Sequence, residues 1–348
     1  MKRFLLLVAD SCRGGLGAAV QAQAVWFSGR DWDVVLAAPR APSLSSRLCS
    51  VGLMDLALPA TSRDLLGLLR AARQLRALLN ERSPTLVHAH GLRSFAACLL
   101  AGFRPCVTVH GFGAVPSDPL GYHLVRRFGL KVAGALAAQA FSVTPELQAP
   151  WSFTPYASPR LADLSILPFP DGTLPTFAWV GRLAEPERPE MFVRALAEAS
   201  RKLPVRGLVA GDGPLRDSVE TLSRNLGAPI EFLGHVDTIR EVLQRSWAVT
   251  LTSRCEGVPF SVQEAMWVGR AVVASDLPGL RWLIGDSGYL VNSEEQLTEA
   301  LLVLTDPRQA NLLGSRAAAR IREILTPQSP FPQLEERFTE HLRSDAVG

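Results

Sequence analysis

Two doubly wound α/β domains are the fold that this sequence predicts, and three observations predict it. Short apolar runs alternate with helical stretches along the chain, the pattern of strands joined by crossover helices. The alternation breaks once, in the Pro-, Ser- and Asp-rich stretch 149–175, and then begins again. At 348 residues, 47% hydrophobic and 20% charged, the chain is long and apolar enough to fill two cores.

The elements follow in order. The opening MKRFLLLVAD starts like a secretion signal, with two cations before an apolar run. The run stops at Asp10 with no small-residue cleavage pattern, so residues 4–9 read as the first buried strand. DVVLAAP, TLVHAH, CVTVHG and AFSVTP continue the first sheet, as short apolar runs typical of buried parallel strands. The clearest helix between them, DLLGLLRAARQLRALLNER at 64–82, sets leucines on one face and arginines on the other. That arrangement suits a helix packed on its sheet by the leucines, with the arginines in water.

After the break come TFAWVGR, RGLVAGD, IEFLGHV, WAVTLTS, AVVASD and GYLV. The expected division is a first Rossmann-like domain at 1–160, a linker at 161–175 and a second Rossmann-like domain at 176–328. No run approaches the ~20 apolar residues of a membrane-spanning helix. Five cysteines form no CxxC pair and no even framework, which suits small buried groups in a reducing cytoplasm. Residues 1–160 carry 17 Lys or Arg against 8 Asp or Glu, and residues 161–348 carry 19 against 25. A basic half joined to an acidic half points either to different ligands or to drift in the charge of solvated faces.

Doubly wound sheets bind ligands beyond the carboxyl ends of their strands, so the loops there carry the chemistry. After the first strand stands Arg13-Gly14-Gly15-Leu16-Gly17, expected to open a helix at Ala18. Glycines admit a close ligand and a helix start favours an anion, although the loop reads equally well as a tight turn. The spacing is not GxGxxG, and the AAPR after the second strand offers no acid for a ribose, which argues against a dinucleotide site.

The next two strand ends carry His88-Ala89-His90-Gly91 and His110-Gly111-Phe112. No Cys or carboxylate stands at a spacing that would complete a metal site. His110 is the histidine placed to meet a substrate, and His88 and His90 read as hydrogen-bonded structural groups.

In the second half, Arg182 and Arg188 follow one strand end, where two planar guanidiniums suit a diphosphate and also suit ion pairs with Glu185, Glu187 or Glu190. After WAVTLTS comes Glu256, then the turn Gly257-Val258-Pro259-Phe260-Ser261, then Glu264 on the helix that follows. Helix-start N–H groups attract phosphate. Val262, Ala265, Met266 and Gly269 share the helix's inner face, which leaves Glu264 projecting away from the core. Two carboxylates flanking such a turn can each accept two hydroxyl hydrogen bonds, as sugar recognition requires. Asp31-Trp32-Asp33 spells a metal-binding DxD, but it begins a strand at the opposite edge of the sheet and reads as structural.

These residues resemble the retaining glycosyltransferases of family 4, which have the GT-B fold of two Rossmann-like domains facing each other across a cleft. The resemblance covers most of the chain and is strongest at 177–291. Glu256 and Glu264 match the family's E-x7-E motif, GRAVVASDLPGL its continuation, and Gly181-Arg182-Leu183 its G-R-L strand end. Where relatives carry Lys-Gly, this chain has Arg188-Pro189. Ala210-Gly211-Asp212-Gly213-Pro214 and the strand end at Val236, near the nucleobase in relatives, match as well.

In the first half Gly14 and Gly15, with Leu16, resemble the family's phosphate or acceptor loop, and His110 its histidine beside the transferred sugar. Pro168-Phe169-Pro170-Asp171-Gly172 replaces the usual Asn-Gly-Val-Asp entry to the second domain. The tail at 329–348 resembles a helix that crosses back to the first domain, which in relatives holds the acceptor.

The resemblance implies transfer of a sugar, with retention, from a nucleotide diphosphate sugar to an acceptor hydroxyl, without metal or other cofactor. Glu256 and His110 would orient the sugar, while Arg182, Arg188, the turn at 257–261 and Glu264 would hold the donor. The acceptor would be a glycan, a lipid-linked glycan or a small molecule, and no nucleic-acid partner is implied. A cytoplasmic protein is expected, with peripheral contact to an anionic membrane through the basic first half, where Arg126, Arg127 and Lys131 form a second cluster. Another nucleotide-sugar enzyme of this fold, a phosphorylase or epimerase, and a non-catalytic sugar-binding partner are the alternatives.

Overall fold

The apolar run at 4–9 is buried on both faces, and this places it at the centre of a sheet rather than at an edge. The computed structural model describes residues 2–11, 14–39, 48, 50–59, 64–110, 120–170, 172, 174–236 and 238–345, with the backbone alone at 79, 120–126 and 345. Arg13, Gly111, Phe112, Asp171 and the side chain of Arg126 therefore lie outside the described residues.

The chain divides into two compact units, Met1–Pro159 with Gln328–Gly348, and Arg160–Pro327. In the first, β1 (Arg3–Ala9), β2 (Trp32–Ala38), β3 (Gly52–Asp55), β4 (Leu86–His90), β5 (Cys106–Val109), β6 (Ala140–Ser142) and β7 (Trp151–Phe153) form one sheet in the order β3-β2-β1-β4-β5-β6-β7. In the second, β8 (Thr176–Val180), β9 (Arg206–Ala210), β10 (Ile230–Gly234), β11 (Ala248–Leu251), β12 (Ala271–Ser275) and β13 (Tyr289–Val291) run β10-β9-β8-β11-β12-β13. Every pairing among the described residues is parallel. The strand order reverses between β1 and β4 and between β8 and β11, and these are the switch points where a ligand crevice forms.

Parallel strands need crossovers, and α1 (Gly14–Ser28), α2 (Leu65–Glu81), α3 (Leu92–Leu100) and α4 (Leu120–Leu136) supply them in the first unit. The second uses α5 (Pro189–Lys202), α6 (Arg216–Leu226), α7 (Arg240–Arg245), α8 (Phe260–Trp267), α9 (Pro278–Ile284), α10 (Glu294–Val303) and α11 (Pro307–Ile324). The chain ends in α12 (Phe331–Asp345), which packs beside α1. Its Phe338 is fully buried against Phe27, His88 and Phe141, and its Glu335 accepts a hydrogen bond from Trp32 Nε1 at 3.2 Å. The C-terminal helix thus completes the core of the first unit, across the whole chain in sequence.

The structure corrects the sequence reading in several places. The break at 149–175 holds β7, the seventh strand of the first sheet. Residues 161–175, expected as a linker, belong to the second unit, where Leu161 and Leu167 are buried. The guanidinium of the buried Arg270 fixes this segment by donating to the carbonyls of Leu167 at 3.2 Å and Pro168 at 2.7 Å, and to that of Leu243 at 2.8 Å. A buried cation with several charge-assisted hydrogen bonds is held firmly, so this stretch is a strap on the second unit and not a free connection.

Helix α2 departs from its expected two-faced form. Ala71, Ala72 and Leu75 are buried, with Leu68 and Leu78 packed beside them. Leu65, Leu66 and Leu69 stand 67%, 67% and 42% exposed, on the face that carries Arg70, Arg73 and Arg76. Asp33 of the DxD sequence forms an ion pair with Arg82, and the intervening Trp32 is buried.

Candidate active site

In the second unit the site is built by clipping two strand ends together. Trp179 on β8 donates through Nε1 to Thr252 Oγ1 at 3.0 Å, just beyond β11. The Thr252 hydroxyl in turn lies 2.8 Å from the carbonyl oxygens of both Glu187 and Arg188, and Arg254 N donates to Pro186 O at 2.8 Å. The loop after β8 is therefore held against the loop after β11. Gly211 secures the next neighbour, since a Cβ there would sit 1.7 Å from the Gly181 carbonyl oxygen.

This clip brings Glu187 to Glu256. Ser253 Oγ lies 3.1 Å from Glu187 Oε2 and 2.9 Å from Glu256 Oε1, and the two carboxyl groups are hydrogen-bonded to each other. Burial, then the charge of Glu187, pushes the Glu256 carboxyl up to about 8, against the opposing pull of the Ser253 hydroxyl. Glu187 is also raised by burial, while Ser253 and the charge of Arg182 draw it back down. Glu256 is accordingly protonated near neutral pH and can share that proton with Glu187. Glu187 was not among the expected site residues. Its signal was an acid inside a loop otherwise suited to phosphate, where the sequence offers it only as one of three possible ion-pair partners for the arginines.

Arg182 is exposed at the end of β8. Arg188 has a φ of 52°, the left-handed conformation that glycine favours. The charge of Arg188 acts on Glu294 at the head of α10, whereas that of Arg182 acts on Glu187. The structure gives the two arginines different carboxylate neighbours.

Beyond Glu256, Gly257 and Val258 are buried and Pro259, Phe260 and Ser261 are partly exposed, with Pro259 the residue before the first turn of α8. The opening N–H groups of such a helix have no acceptor within it and suit a phosphate. Glu264 does not project away from the core. It is 1% exposed, with Arg160 Nη1 3.6 Å from its Oε1. The small residues of α8 let the sheet, α11 and the segment at 161–163 all close on it, so both faces are covered. Val236 lies half-buried in the loop after β10.

In the first unit, α1 begins at Gly14 and not at Ala18, so Gly14, Gly15 and Leu16 form its first turn. Gly14 and Gly15 are exposed, and Gly14 has the positive φ of 62°. Between β1 and β4, Asp10 caps α3 by accepting from Ser94 N at 2.7 Å, and its other oxygen pairs with Arg93 at 3.3 Å. Gly91 is required there, because a Cβ would meet that carboxylate at 2.2 Å.

His88 and His90, two residues apart on one strand, share a face, and their rings lie 4.2 Å apart. His88 Nε2 meets Thr108 Oγ1 at 2.8 Å, and His90 Nδ1 meets His110 Nε2 at 2.8 Å. Tyr156 covers this group, its ring 5.1 Å from that of His110. Burial pushes His88 down to about 3 and His110 down to about 4, and holds His90 well below the usual range, so all three are neutral at pH 7. Among the described residues, no three His, Cys, Asp or Glu side chains gather as metal ligands.

Two doubly wound units, each with its polar residues at the carboxyl edge beside a switch point, define the GT-B class. The sequence model of the family described as "Glycosyl transferases group 1" matches residues 174–306, and that of the "Glycosyl transferase 4-like domain" matches 14–149. The chain belongs to the family-4 type of glycosyltransferases.

It is 29% identical over 154 residues to the Campylobacter jejuni GalNAc-alpha-(1->4)-GalNAc-alpha-(1->3)-diNAcBac-PP-undecaprenol alpha-1,4-N-acetyl-D-galactosaminyltransferase, covering 42% of this chain and 43% of that one. The match therefore spans less than half the length of that relative. The chain is 26% identical over 285 residues to the Escherichia coli UDP-Gal:alpha-D-GlcNAc-diphosphoundecaprenol alpha-1,3-galactosyltransferase, covering 70% of this chain and 72% of that one. Sucrose-phosphate synthase from Thermosynechococcus elongatus superposes with a TM-score of 0.83 at 18% identity, covering 98% of this chain and all of the other.

Proposed function

We propose that the protein is a retaining, metal-independent glycosyltransferase that moves a sugar from a nucleotide diphosphate sugar to an acceptor hydroxyl. The observation that carries this reading is the Glu256 turn at the carboxyl end of β11, clipped beside Arg182, in a chain of this family. Cleavage of the donor builds negative charge on the leaving diphosphate. Arg182 and the N–H groups at the start of α8 are fixed positive potential for that charge, and such stabilisation is often the largest single term. Glu256 orients the transferred sugar, and as a protonated acid it can donate to a sugar oxygen as well as accept. Glu264 serves the ribose side, and Gly14, Gly15 and Leu16 serve a phosphate or the acceptor. His110, neutral by burial, hydrogen-bonds the sugar.

A lipid-linked glycan is the acceptor class we favour, supported by the undecaprenol diphosphate acceptors in the names of the two relatives. The exposed leucines at the head of α2, followed by its arginines, support peripheral contact with an anionic membrane. On α4, Phe128 is 68% exposed between the exposed Arg127 and Lys131. Helices α2, α3 and α4 lie side by side, so both groups belong to one layer. No helix among the described residues is long and apolar enough to cross a membrane. The test is a panel of nucleoside diphosphate sugars, first for a rise in melting temperature and then for nucleotide release with and without acceptor. Release without acceptor would favour hydrolysis or phosphorolysis, and binding without turnover a sugar-binding partner.

A further inference from the structure

We propose that His90 is a positioning residue for the transfer reaction, donating its Nδ1–H to His110 Nε2 so that His110 carries its own proton on Nδ1 and offers that N–H to a ligand oxygen. The inference rests on the glycosyltransferase reading for its ligand, and on the hydrogen bonds of the first unit for its geometry.

Two neighbouring strands make the same diagonal step twice. In the register of β4 and β5, His88 stands opposite Cys106 and His90 opposite Thr108. Each histidine reaches past its partner to the residue two further along, His88 to Thr108 and His90 to His110, both at 2.8 Å. The first step belongs to a closed ring whose proton directions can be read off. Tyr156 OH donates to Gln23 Oε1 at 2.9 Å, which turns the Gln23 amide NH2 toward His88 Nδ1, also at 2.9 Å. His88 Nδ1 must then be bare, so Nε2 carries the proton and donates to Thr108 Oγ1. Thr108 closes the ring by hydrogen-bonding the Tyr156 hydroxyl. Gln23, His88 and Thr108 are fully buried and Tyr156 is 2% exposed, so the ring is a rigid floor.

The second step stands on that floor, with the Tyr156 ring against His110. Its proton direction is set by the far nitrogen of His90. Nε2 of His90 is buried and has no hydrogen-bond partner among the described residues. If His110 were the donor, His90 would carry its proton on Nε2 and bury an N–H with no acceptor. If His90 is the donor, the orphan is a bare lone pair instead. Unpaired buried N–H groups are the rarer defect in folded proteins, and the second arrangement avoids one. His110 Nε2 is then used as an acceptor, and Nδ1–H is what remains to meet a ligand. That makes His110 a neutral hydrogen-bond donor and not a base.

Two experiments test this on the full chain. Long-range proton–nitrogen correlation spectra of histidine-labelled protein report which ring nitrogen of His110 is protonated. The result expected is a proton on Nδ1 and a bare Nε2, and the reverse would overturn the proposal whether or not the protein transfers sugar. Second, His90→Asn places an amide N–H where Nδ1 was, whereas His90→Leu does not. We expect kcat to fall about tenfold in the leucine variant, the size of one lost hydrogen bond, and to recover in the asparagine variant with donor KM nearly constant. Unchanged kcat in a folded His90→Leu would remove the positioning role. Absence of transfer by the wild-type protein would count against the functional reading, and the spectrum would still decide the proton on His110.

Discussion

Glu256 meets Glu187 beside Ser253, and each proton gained or lost there changes the charge that the proposed donor diphosphate would encounter. With Glu256 pushed up to about 8, its carboxyl is mostly protonated at pH 7 and mostly ionised at pH 9, which adds one negative charge to the site. Donor affinity should therefore hold below pH 8 and fall above it, approaching a factor of about ten per unit of pH. Calorimetric titration of a nucleoside diphosphate at several pH values checks this, and a flat profile to pH 9.5 would remove the shared proton. Glu256→Gln can donate to Glu187 as the protonated acid does, so it should abolish that decline while lowering kcat.

Glu264→Gln should leave the decline in place and lower kcat far less. Equal increases in KM alone for both variants would contradict their separate roles. Arg182→Ala should cost about 2–4 kcal/mol of transition-state stabilisation, read as kcat/KM. An unchanged ratio in the folded variant would show that the diphosphate is held elsewhere. Sequence spacing places Glu256, Arg182 and His110 at strand ends, and the structure has them there. It missed Glu187, because only the clip through Thr252 brings that side chain to Ser253.

At the scale of elements, α2 is where sequence and structure diverge with a consequence. The expectation set its leucines and arginines on opposite faces, but the leucines do not form one stripe, and Leu65, Leu66 and Leu69 fall on the side that carries the arginines. The core takes Ala71, Ala72 and Leu75, while Leu65, Leu66 and Leu69 stay in solvent. Protein sedimented with anionic vesicles at low salt should be retained, and replacement of Arg70, Arg73 and Arg76 by Gln should weaken retention by about 1 kcal/mol per charge. No sedimentation of the wild-type protein at low salt would remove the membrane contact.

Strands were legible where their sequence is an apolar run, whether central or, like β10 and β13, at an edge. All six of the second sheet are apolar runs, whereas β3 and β7 are short edge strands without a buried residue. An edge strand needs no apolar run, so GLMD and WSF carried no signal. Glu264 misled for the opposite reason. The small residues of α8 allow close packing all round, and periodicity fails when no face is left to water.

For the whole molecule, two sheets of the same handed order present their polar residues beyond β1, β4 and β5 in one unit and beyond β8 and β11 in the other. Switch points explain why chemistry gathers there, and they were foreseeable once the alternation of strands and helices was seen. The contribution of α12 to the first core was foreseeable only by resemblance, because no local pattern tells a helix which of two cores it will join. The central claim is sugar transfer with retention, without metal. Its most direct test follows the anomeric proton by NMR while the protein, with chelator present, is given an α-linked nucleoside diphosphate sugar and a lipid-linked or glycan acceptor. The account predicts acceptor-dependent release of the nucleoside diphosphate and a product with an α linkage. A β-linked product, or turnover that stops until a divalent cation is added, would contradict it.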